Sequence, residues 1–467
     1  MVLAVIVIVA GTILFIMGYR VDSDKGRIEQ GALVQFDSQP NGANVAIDGK
    51  SINANTPAKQ TVVAGQHSFV ANRTNYETWS KTLNVKAGSL EWLDYIRLVP
   101  KDLKVESIDS YASVVGEIAS PDYKWLLVQQ RADVPSFQLV DLRSQQVKSS
   151  TIVLPATIYS SATTPGVTHN FVMENWDKDG RHVIVKHTFN DKSEYIVLDT
   201  QDLATSVNVS SLLNISLSQV EFSGTSGNIL YGVTDGVIRK LDLSNATISR
   251  GLVTNVKRFD MFETNVISYV GVDTANPGHQ VAGIYREGDE SARVLRVVKD
   301  LTTPLTIAAT RYYSDDFVAI SEGQNVTILK GRYPSSSEAD TSSLKLYDEF
   351  KAAANIDATS FSETGSRLVI QSGLTFVGYE VEYKRATNAS MTTTETTSRA
   401  LKWLDDAYVW AVYEGRLSIR EFDGANTHVI MNMEPGFDAT LSQNGKYLYG
   451  IAKTGDTYRL QRVMLIL

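Results

Sequence analysis

The sequence predicts an all-β protein, made of one small and one large β domain behind a single apolar segment at the N-terminus. Beyond residue 101 the chain shows no long amphipathic helical pattern. It consists there of short β-rich runs bounded by Asp, Gly, Ser or Asn. Its 467 residues exceed the size of one ordinary domain. We expect a transmembrane anchor at 1–20, a linker at 21–30, a small β domain at 31–100 and a large β domain at 101–467.

Composition excludes several kinds of chemistry. The chain has no cysteine, so disulfides, thiolate catalysis, zinc–thiolate sites and iron–sulfur clusters are excluded. Its net charge of −8 is the opposite of the basic excess that nucleic-acid binding needs. We therefore expect no nucleic-acid partner, and nothing in the sequence indicates a cofactor.

The N-terminal segment Val2–Tyr19 contains no charged residue. As a helix it would be about 27 Å long, close to the thickness of a bilayer core. A buried core helix would keep a polar stripe, which this segment lacks. A cleaved signal peptide would end in small residues, whereas this run ends in Met17, Gly18 and Tyr19. The segment predicts an uncleaved single-pass anchor, so the membrane is an expected partner.

Residues 31–100 contain successive hairpin signals. Asp48 and Gly49 separate two short apolar runs, and an Asp-Gly pair suits a type I′ turn because both central residues need φ > 0. A second hairpin is predicted around Gly65. The predicted strands are 44–47, 50–52, 60–63, 67–71, 81–85 and 92–98.

An ordered set of landmark residues runs through this small domain. The landmarks are Pro40, Asn41, Gly42, Ala43, Asp48, Gly49, Thr56, Pro57, Gly65, His67, Tyr76 and Trp79. Their order and spacing resemble the PEGA domain family over about seventy residues. The chain departs from the family at Asn75, where Gly is usual. Asn tolerates the left-handed conformation, so we expect the turn to be kept.

The resemblance implies a small β-fold found on bacterial and archaeal surface proteins, often near the membrane. The landmark residues would then be architectural, with Gly and Pro setting turns and apolar residues filling a small core. On this interpretation Trp79 and Trp92 pack in the core. The alternative is that one of these two tryptophans binds a glycan.

The large domain carries a weak internal repeat, in which a strand, a polar turn and a second apolar strand follow one another. Weaker copies fall near Phe262, Tyr313 and Leu404. A further strand follows several copies, and the copies recur about every 40 to 55 residues, the size of a four-stranded blade. The clear copies are 119–128, 175–185, 222–231, 361–370 and 441–449.

The Ser-Pro-Asp-x-Lys and Ser-x-Asn-Gly-Lys turns of these copies resemble those of WD-like β-propellers. Eight copies predict eight blades, with seven as the alternative. The last copy lacks an outer strand, and Leu103–Ile108 is expected to supply it and close the ring. Two stretches, 333–343 and 387–398, are rich in Ser or Thr and are predicted to be solvated spacers or edge strands.

No motif for catalysis or metal binding is present. The six histidines show no metal-ligand spacing, and His182 and His187, five apart on a predicted strand, should face opposite sides. The segment 177–180 begins like a calcium loop but lacks the distal Glu, so a turn is predicted. The carboxylate pairs 315–316 and 405–406 fall at predicted turns. We therefore assign no catalytic, cofactor-binding or metal-binding residue, and the ligand-binding residues stay unassigned.

The sequence favours a non-enzymatic cell-envelope protein whose propeller presents loops for binding or scaffolding. The partner would be a protein or an envelope polymer. The alternative is a propeller hydrolase acting on envelope glycans. A converging Asp/Glu pair with perturbed pKa values at the channel mouth would favour the hydrolase, and an apolar, neutral channel would favour binding.

Two indications of membrane orientation conflict. Arg20, Lys25 and Arg27 follow the apolar segment and no basic residue precedes it, which by the positive-inside rule places the body in the cytoplasm. Domains of the kinds that follow usually lie outside the membrane, and a short basic segment ahead of Met1 would reverse the charge count. We expect a single-pass protein of the cell membrane with its large domain outside. The alternative is an interaction platform that faces the cytoplasm.

Overall fold

The predicted all-β class is confirmed by the computed structural model of the chain. Within the described ranges the helical elements of more than one residue are short: a 3₁₀ turn at Leu203–Thr205 and helix α1 at Val209–Leu213. The structure describes residues 19–22, 27–160, 166–224, 226–333 and 343–467, together with Val5, Val9 and Thr12.

The predicted membrane-spanning segment, Val2–Tyr19, lies outside the described residues except at Val5, Val9, Thr12 and Tyr19. Across the part of the chain that the structure describes, no helix has the length and apolar character needed to cross a bilayer.

The chain divides into two compact units. The smaller unit comprises Met1–Lys104 with Met464–Leu467, and the larger unit comprises Val105–Val463. The described part of the smaller unit contains nine strands. They are β1 (Tyr19–Asp22), β2 (Arg27–Gln30), β3 (Ala32–Gln39), β4 (Asn44–Ile47), β5 (Lys50–Asn55), β6 (Ala58–Val62), β7 (Gly65–Asn72), β8 (Trp79–Val85) and β9 (Leu90–Arg97).

Two sheets make up the body of the smaller unit. One has the order β5-β4-β7-β8, and the other has the order β6-β3-β9 with β3 and β9 parallel. Strand β8 alternates buried and exposed residues along its length, as a strand with one face on the core requires. Phe36, Phe69 and Trp79 lie in that core. Strands β1 and β2 pair with each other, so the stretch predicted as a linker, 21–30, contains parts of two paired strands.

The larger unit consists of eight four-stranded antiparallel sheets. Its first strand is β10 (Val105–Tyr111). Sheet 1 contains β11 (Gly116–Ala119), β12 (Trp125–Gln129), β13 (Ser136–Asp141) and β14 (Lys148–Val153), and sheet 2 contains β15 (His169–Trp176), β16 (His182–Phe189), β17 (Lys192–Asp199) and β18 (Val207–Asn208). Sheet 3 contains β19 (Gln219–Phe222), β20 (Ile229–Thr234), β21 (Val237–Asp242) and β22 (Thr247–Ile248). Sheet 4 contains β23 (Val256–Phe262), β24 (Val266–Val272), β25 (Gln280–Arg286) and β26 (Arg293–Val298).

The same order of four strands continues in the second half of the unit. Sheet 5 contains β27 (Leu305–Tyr312), β28 (Asp315–Glu322), β29 (Asn325–Gly331) and β30 (Lys345–Lys351), and sheet 6 contains β31 (Ala358–Phe361), β32 (Arg367–Ser372), β33 (Thr375–Glu380) and β34 (Arg385–Ser390). Sheet 7 contains β35 (Lys402–Trp403), β36 (Tyr408–Tyr413), β37 (Arg416–Glu421) and β38 (His428–Asn432). Sheet 8 contains β39 (Thr440–Leu441), β40 (Tyr447–Thr454) and β41 (Thr457–Met464).

Strand β10 completes sheet 8. It pairs antiparallel with β41, with Val105 opposite Val463, and the sheet order is β10-β41-β40-β39. The closing strand predicted at 103–108 is therefore confirmed. Because the start of the unit pairs with its end, the last sheet has no missing outer strand.

The first strands of the sheets lie at the centre of the unit. Contacts join β11 to β15, β15 to β19, β19 to β23 and β27 to β31. Every residue of the middle strand β36 is buried, because other sheets cover both of its faces, whereas the outer strand β14 is mostly exposed. The core lies between sheets, as where Ile184 and Val197 of sheet 2 pack with Leu230 and Leu241 of sheet 3.

The sequence repeat corresponds to the turn between the first and second strand of each sheet. The five clear copies mark this turn in sheets 1, 2, 3, 6 and 8, and the copies near Phe262, Tyr313 and Leu404 mark it in sheets 4, 5 and 7. Of the two predicted spacers, 387–398 begins in the outer strand β34. Residues 334–342 of the other spacer lie outside the described residues.

Candidate functional site

Thr56 holds one landmark turn of the smaller unit together. Its Oγ1 accepts hydrogen bonds from Gly42 N at 3.1 Å and Ala43 N at 2.9 Å, and it lies 2.5 Å from Ser38 Oγ. Gly42 has a φ of +89°, a conformation that favours glycine. Gly42 N also donates to the carbonyl of Thr56 at 2.9 Å, and Thr56 N donates to the carbonyl of Ala43 at 2.9 Å, so the backbone and the side chain of Thr56 hold the turn together.

The prolines of the landmark set flank this turn. Pro40 and Pro57 each follow a cis peptide bond. The carbonyl of Asn41 accepts a hydrogen bond from Arg73 Nη1 at 2.8 Å. These landmarks shape the backbone of the smaller unit.

Asp48 and Gly49 form the predicted type I′ turn, with φ values of +50° and +76°. The Asp48 carboxylate accepts a hydrogen bond from Ser68 N at 2.9 Å, and its other oxygen lies 2.6 Å from His67 Nδ1. The bond from Ser68 and the nearby His67 lower the pKa of Asp48. The second ring nitrogen of His67 bonds to the carbonyl of Val63 at 2.8 Å, so both nitrogens have partners within the unit.

The remaining landmarks lie in the core or at turns. Trp79 is 1% exposed and Tyr76 is 3% exposed, so both pack in the interior. The prediction that Trp92 packs in the core is wrong, because Trp92 is 37% exposed. Asn75 has a φ of +71°, which confirms the left-handed turn expected there, and Gly65 has a φ of +140°. The landmark residues serve the backbone and core of the smaller unit.

Three of the first-to-second-strand turns of the larger unit share one hydrogen-bond pattern. In sheets 1, 6 and 8 a serine hydroxyl accepts a bond from the backbone N–H five residues later, at 2.9, 3.2 and 2.9 Å. The serines are Ser120, Ser362 and Ser442. Each side chain satisfies a donor at the start of the second strand, which explains why the same residue type recurs there.

In sheet 2 an aspartate takes the place of the serine. Asp177 is fully buried and accepts bonds from Arg181 N at 2.8 Å and His182 N at 3.0 Å, and it lies 2.6 Å from His182 Nδ1. Gly180 has a φ of +65°. The segment 177–180 is thus a turn, as predicted, and its first carboxylate is structural.

Contacts between neighbouring turns place them together at one end of the first strands. Ser223 Oγ donates to the carbonyl of Thr264 at 2.6 Å, which joins sheets 3 and 4. Thr364 donates to the Asp406 carboxylate from its backbone at 2.9 Å and from its hydroxyl at 2.6 Å, which joins sheets 6 and 7.

Asp316 and Asp405, from the carboxylate pairs 315–316 and 405–406, also accept hydrogen bonds within the fold. Asp316 accepts from Arg311 Nε and from Tyr333 N, both at 2.7 Å. Asp405 accepts from the backbone of Ala407 at 2.8 Å and of Tyr408 at 2.7 Å. These carboxylates are occupied by contacts within the larger unit.

A cavity of about 660 Å³ opens where the turns meet the ends of several first strands. It is bounded by sheets 1, 2, 6, 7 and 8, and we call it the mouth cavity. Three of the six tryptophans of the chain line it. Its aromatic lining residues are Tyr123, Trp176, Trp403 and Trp410, and its charged ones are Asp122, Glu174, Lys178, Glu363, Lys402 and Asp438.

Hydrogen bonds hold two of the indole rings. Trp176 Nε1 donates to the carbonyl of Ile118 at 3.3 Å, and Trp403 Nε1 donates to Ser360 Oγ at 3.1 Å. Both partners belong to neighbouring sheets. The ring positions are therefore set by the packing of one sheet against the next, which preorganises the aromatic wall.

Glu117 lies behind the cavity wall and is 7% exposed. One carboxyl oxygen accepts a hydrogen bond from the backbone N–H of Asp438, and the other is buried without a partner among the described residues. Burial, and secondarily the charge of Asp438, raise the pKa of Glu117 well above its ordinary value. Lys402 pairs with the Asp438 carboxylate and lies 5.6 Å from the centre of the Trp410 ring.

Glu174 is the extra residue of a β-bulge. The pairing of β15 with β16 shifts register between Met173 and Asn175, which leaves Glu174 opposite no residue and directs it away from the core. In the described ranges no hydrogen bond or ion pair reaches its carboxylate. Partial desolvation raises its pKa, and the charge of Lys186 only partly opposes this effect.

Acidic side chains continue along the neighbouring first strands. Asn175 Nδ2 donates to Glu221 at 2.6 Å. Burial, with a contribution from the charge of Asp260, raises the pKa of Glu221 to about 7. Burial also raises the pKa of Asp260, against the opposing charge of Arg258. The first strands near the centre are thus acidic rather than apolar and neutral.

A histidine cluster lies at the opposite end of β15 from Trp176. His187 is fully buried, with Nδ1 2.8 Å from Glu194 and Nε2 2.8 Å from His169 Nδ1. His182 contacts the turn instead, so the two predicted strand histidines have separate partners. In the portion of the chain covered by the structure, no three His, Asp or Glu side chains are arranged to hold a metal ion.

The mouth cavity contains the residues that sequence reasoning missed. The sequence repeat could have located two of the cavity tryptophans. Trp176 and Trp403 each stand directly before a repeat turn, at Asp177 and Leu404. No sequence pattern could have located Glu174, because the alternation of polar and apolar residues does not reveal the bulge that places it at the cavity.

The comparisons with known proteins agree with this two-unit architecture. Residues 32–100 match the PEGA domain family, so the chain carries a PEGA domain. A search among curated proteins finds no match to the chain.

Solved structures similar to the chain include a WD40 domain. The C-terminal WD40 domain of Sif2 matches with a TM-score of 0.51 and 9% identity, over 77% of this chain and 98% of that one. Hsv2 of Kluyveromyces lactis matches with a TM-score of 0.40 and 14% identity, over 76% and 98%. An oligogalacturonate lyase in complex with manganese matches with a TM-score of 0.40 and 10% identity, over 78% and 98%. The likeness to the Sif2 domain shows a WD-like β-propeller fold and carries no argument on activity.

Proposed function

We propose that this protein is a membrane-anchored, non-enzymatic cell-envelope protein that binds an envelope polysaccharide in its mouth cavity. The anchor is the apolar segment 1–20, the PEGA domain follows it, and 101–467 forms the propeller. Each four-stranded sheet is one blade, which gives eight blades. The observation that carries the proposal is the mouth cavity, in which three tryptophans and six charged residues converge from five sheets.

The cavity has the form of a ligand site. Its volume falls within the range of about 300–1,000 Å³ that small-molecule sites occupy. The half-buried ring of Trp403 can offer an apolar face to the C–H face of a sugar ring, and Trp176 and Trp410, which are 6% and 4% exposed, form the wall behind it. The charged side chains around the cavity can bond to hydroxyl groups. Because the cavity lies at one end of the central strands, a polymer could leave it without threading through the ring.

The membrane and envelope parts of the proposal rest on the sequence. Segment Val2–Tyr19 has the length and apolar character of a spanning helix. Residues 32–100 match the PEGA domain, and PEGA domains occur on surface proteins near the membrane. Together these features favour a large domain that faces the cell envelope.

Binding of envelope polysaccharide to the purified full chain tests the function. We expect Trp403→Ala to weaken binding at least tenfold, because the half-buried indole forms part of the cavity wall. Trp125→Ala is the matched control, since Trp125 is also half-buried in the propeller but lies outside the cavity. Equal binding by both variants and the wild type would place the ligand elsewhere.

Protease treatment of intact cells tests the location. An extracytoplasmic propeller would be digested from outside. Protection in intact cells, with digestion only after lysis, would show that the body faces the cytoplasm. The positive-inside interpretation would then hold, and the partner would be cytoplasmic.

A glycan hydrolase is the second candidate, and one observation favours it. In the same cavity the pKa of Glu174 is raised, and the pKa of Asp122 is lowered despite desolvation by burial, because Lys124 and Ser120 bond to its carboxylate. A proton donor and an ionised carboxylate are the pair that glycosidases use. Asp122 is already engaged by those two partners, at 2.8 Å and 2.6 Å, so it is less available as a nucleophile or base.

Release of reducing ends from the bound polysaccharide separates the two candidates. The binding proposal expects no release above a no-protein control. Release by the wild type that disappears in both Glu174→Gln and Asp122→Asn would establish the hydrolase instead.

A further inference from the structure

Four of the first-to-second-strand turns share one backbone conformation. In sheets 1, 2, 6 and 8 the fourth residue of the turn donates its backbone N–H to the carbonyl of the first, at 3.0, 3.1, 2.9 and 2.7 Å. All four of these donors have a positive φ, of +59°, +65°, +74° and +66°. The residues are Tyr123, Gly180, Gly365 and Gly445. Sheet 1 thus places a tyrosine where the equivalent turns have glycine.

A large side chain at this position has a cost in free energy. The left-handed conformation suits glycine, and a bulky residue is strained in it. Because three turns of the same kind form with glycine, the turn itself does not require the ring of Tyr123. The ring therefore has a role other than forming the turn.

The surroundings of the glycines and of Tyr123 differ. A Cβ on Gly180 would lie 2.7 Å from Asp122 Oδ1, and one on Gly365 would lie 2.6 Å from Thr310 Oγ1, because the turn of the preceding sheet fills that space. Tyr123 lines the mouth cavity instead, and its side chain is half-buried. The strained residue is thus the one whose side chain borders the cavity.

The phenol of Tyr123 reaches the part of the wall that carries Trp403. Its hydroxyl lies 3.4 Å from the carbonyl oxygen of Leu404, the residue after Trp403. Trp403 is half-buried, whereas Trp176 and Trp410 are buried. Two partly exposed aromatic side chains, one from sheet 1 and one from sheet 7, are therefore available to a ligand in the same part of the cavity.

We infer that Tyr123 contacts the saccharide proposed for the mouth cavity, and that this saccharide consists of β-linked pyranose rings with equatorial hydroxyl groups. The inference rests on the proposed function and specifies its ligand class. Aromatic rings pack against apolar surface, and a pyranose with equatorial hydroxyl groups presents C–H bonds on both of its faces. An axial hydroxyl would place a polar group on one face, and against an aromatic ring that group would lose its hydrogen bonds to water.

Isothermal titration of the full chain with two matched probes tests the inference. The probes are β-1,4-linked tetramers of glucose and of mannose, which differ only in the orientation of the 2-hydroxyl group. We expect the glucose tetramer to bind more tightly by about tenfold or more, and Tyr123→Gly to weaken its binding by about tenfold or more. Tyr123→Phe keeps the aromatic ring and should bind the glucose tetramer like the wild type.

Tyr313→Gly is the matched control. Tyr313 also has a positive φ, of +53°, in the turn of sheet 5, but it is 78% exposed and lies outside the cavity. Its substitution should leave binding unchanged. Because glycine removes the strain, the urea midpoint of Tyr123→Gly should be no lower than that of the wild type. A lower midpoint together with lost binding would make Tyr123 a structural residue and overturn the inference.

Binding of envelope polysaccharide separates failure of the inference from failure of the proposed function. Polysaccharide bound alike by the wild type and Tyr123→Gly, but lost in Trp403→Ala, would overturn the role of Tyr123 and leave the proposed function standing. Equal binding of the two tetramers, or binding of neither while the envelope polysaccharide binds, would overturn the ligand class alone. Binding of neither tetramer nor the envelope polysaccharide would count against both proposals.

Discussion

The landmark residues of the PEGA domain and the lining of the mouth cavity differ in how their polar groups are satisfied. Thr56 accepts hydrogen bonds from two backbone N–H groups, and the Asp48 carboxylate bonds to Ser68 N and His67 Nδ1. In the cavity, Glu174 has no bonded partner within the described ranges, and Glu117 behind it leaves one oxygen unpaired. The residues that stand at recognisable spacings complete the fold, and those that look ordinary in the sequence line or back the cavity proposed to bind a ligand.

This difference has an energetic side. A satisfied hydrogen bond contributes about 1 kcal/mol to folding, whereas a desolvated polar group without a partner costs about 1–3 kcal/mol. Glu117 is such a group, because one of its carboxyl oxygens is buried without a partner among the described residues, and burial raises its pKa. Substitutions in the two regions should therefore change stability with opposite signs.

Replacement of the core tryptophan of the PEGA domain should have the largest effect. Trp79 is 1% exposed, so Trp79→Ala should lower the free energy of unfolding by about 3–5 kcal/mol through lost burial and the cavity left behind. Urea unfolding followed by hydrogen exchange in peptides of the smaller unit measures it. Trp92→Ala is the control, because Trp92 is 37% exposed, and a loss as large as that of Trp79→Ala would contradict the core assignment.

The buried turn carboxylate of sheet 2 should follow. Asp177→Ala removes the acceptor of two backbone bonds and one contact with His182, so a loss of about 2–4 kcal/mol is expected. Asp177→Asn keeps the amide oxygen as an acceptor and should lose less. Chemical denaturation of both variants decides the point. Near-equal stability of Asp177→Ala and the wild type would show that the turn does not depend on this side chain.

The repeat turns could be predicted because one local hydrogen bond recurs in them. Ser120, Ser362 and Ser442 each bond five residues ahead, so the constraint lies within a short stretch of sequence. The closing strand was predictable for a related reason, since the last repeat lacked its fourth strand. The PEGA landmarks were recognisable because their turns require particular residues, as at Gly49 with its φ of +76°.

The mouth cavity could not be predicted in the same way. Its walls join residues as distant as Ile118 and Thr440, which only ring closure brings together. The bulge at Glu174 breaks the alternation that sequence reasoning depends on. Long-range closure and a local irregularity thus produced the site, and neither leaves a motif.

Lowering the pH should reduce the stability that a buried, hydrogen-bonded carboxylate contributes. Glu194, which is 5% exposed, is such a carboxylate. Burial opposes its ionisation, but hydrogen bonds from His187, Asn208 and Ser160 prevail and lower its pKa to about 2. Because this folded-state pKa lies below the unfolded value near 4.3, the stabilisation is present above about pH 4.3 and is lost as the pH falls towards 2. Wild type should exceed Glu194→Gln by up to about 3 kcal/mol at pH 7, and the two should converge as the pH falls towards 2.

That difference can be measured by urea titration at fixed temperature from pH 7 down to pH 2, with buffer strength held constant. Glu349→Gln, at an exposed glutamate of the outer strand β30, provides the matched control. A gap between wild type and Glu194→Gln that stays constant across the range would show that the hydrogen-bonded carboxylate is not the origin of the stabilisation.

The smallest expected effect has the opposite sign and bears most directly on the cavity. The pKa of Glu174 is raised in the fold, so the fold favours its neutral form, and the stability that this preference contributes is lost as the pH rises through the raised pKa. Glu174→Gln should therefore stabilise the ligand-free protein at pH 8, by no more than about 0.5 kcal/mol because the group is partly exposed and screened by solvent. The gain should vanish below about pH 4.3, where both forms are uncharged. Midpoints of urea unfolding at the two pH values measure it. If Glu174→Gln instead lost stability at pH 8, the carboxylate would have a structural partner after all, and the contrast between a satisfied PEGA domain and an open cavity would fail at its central residue.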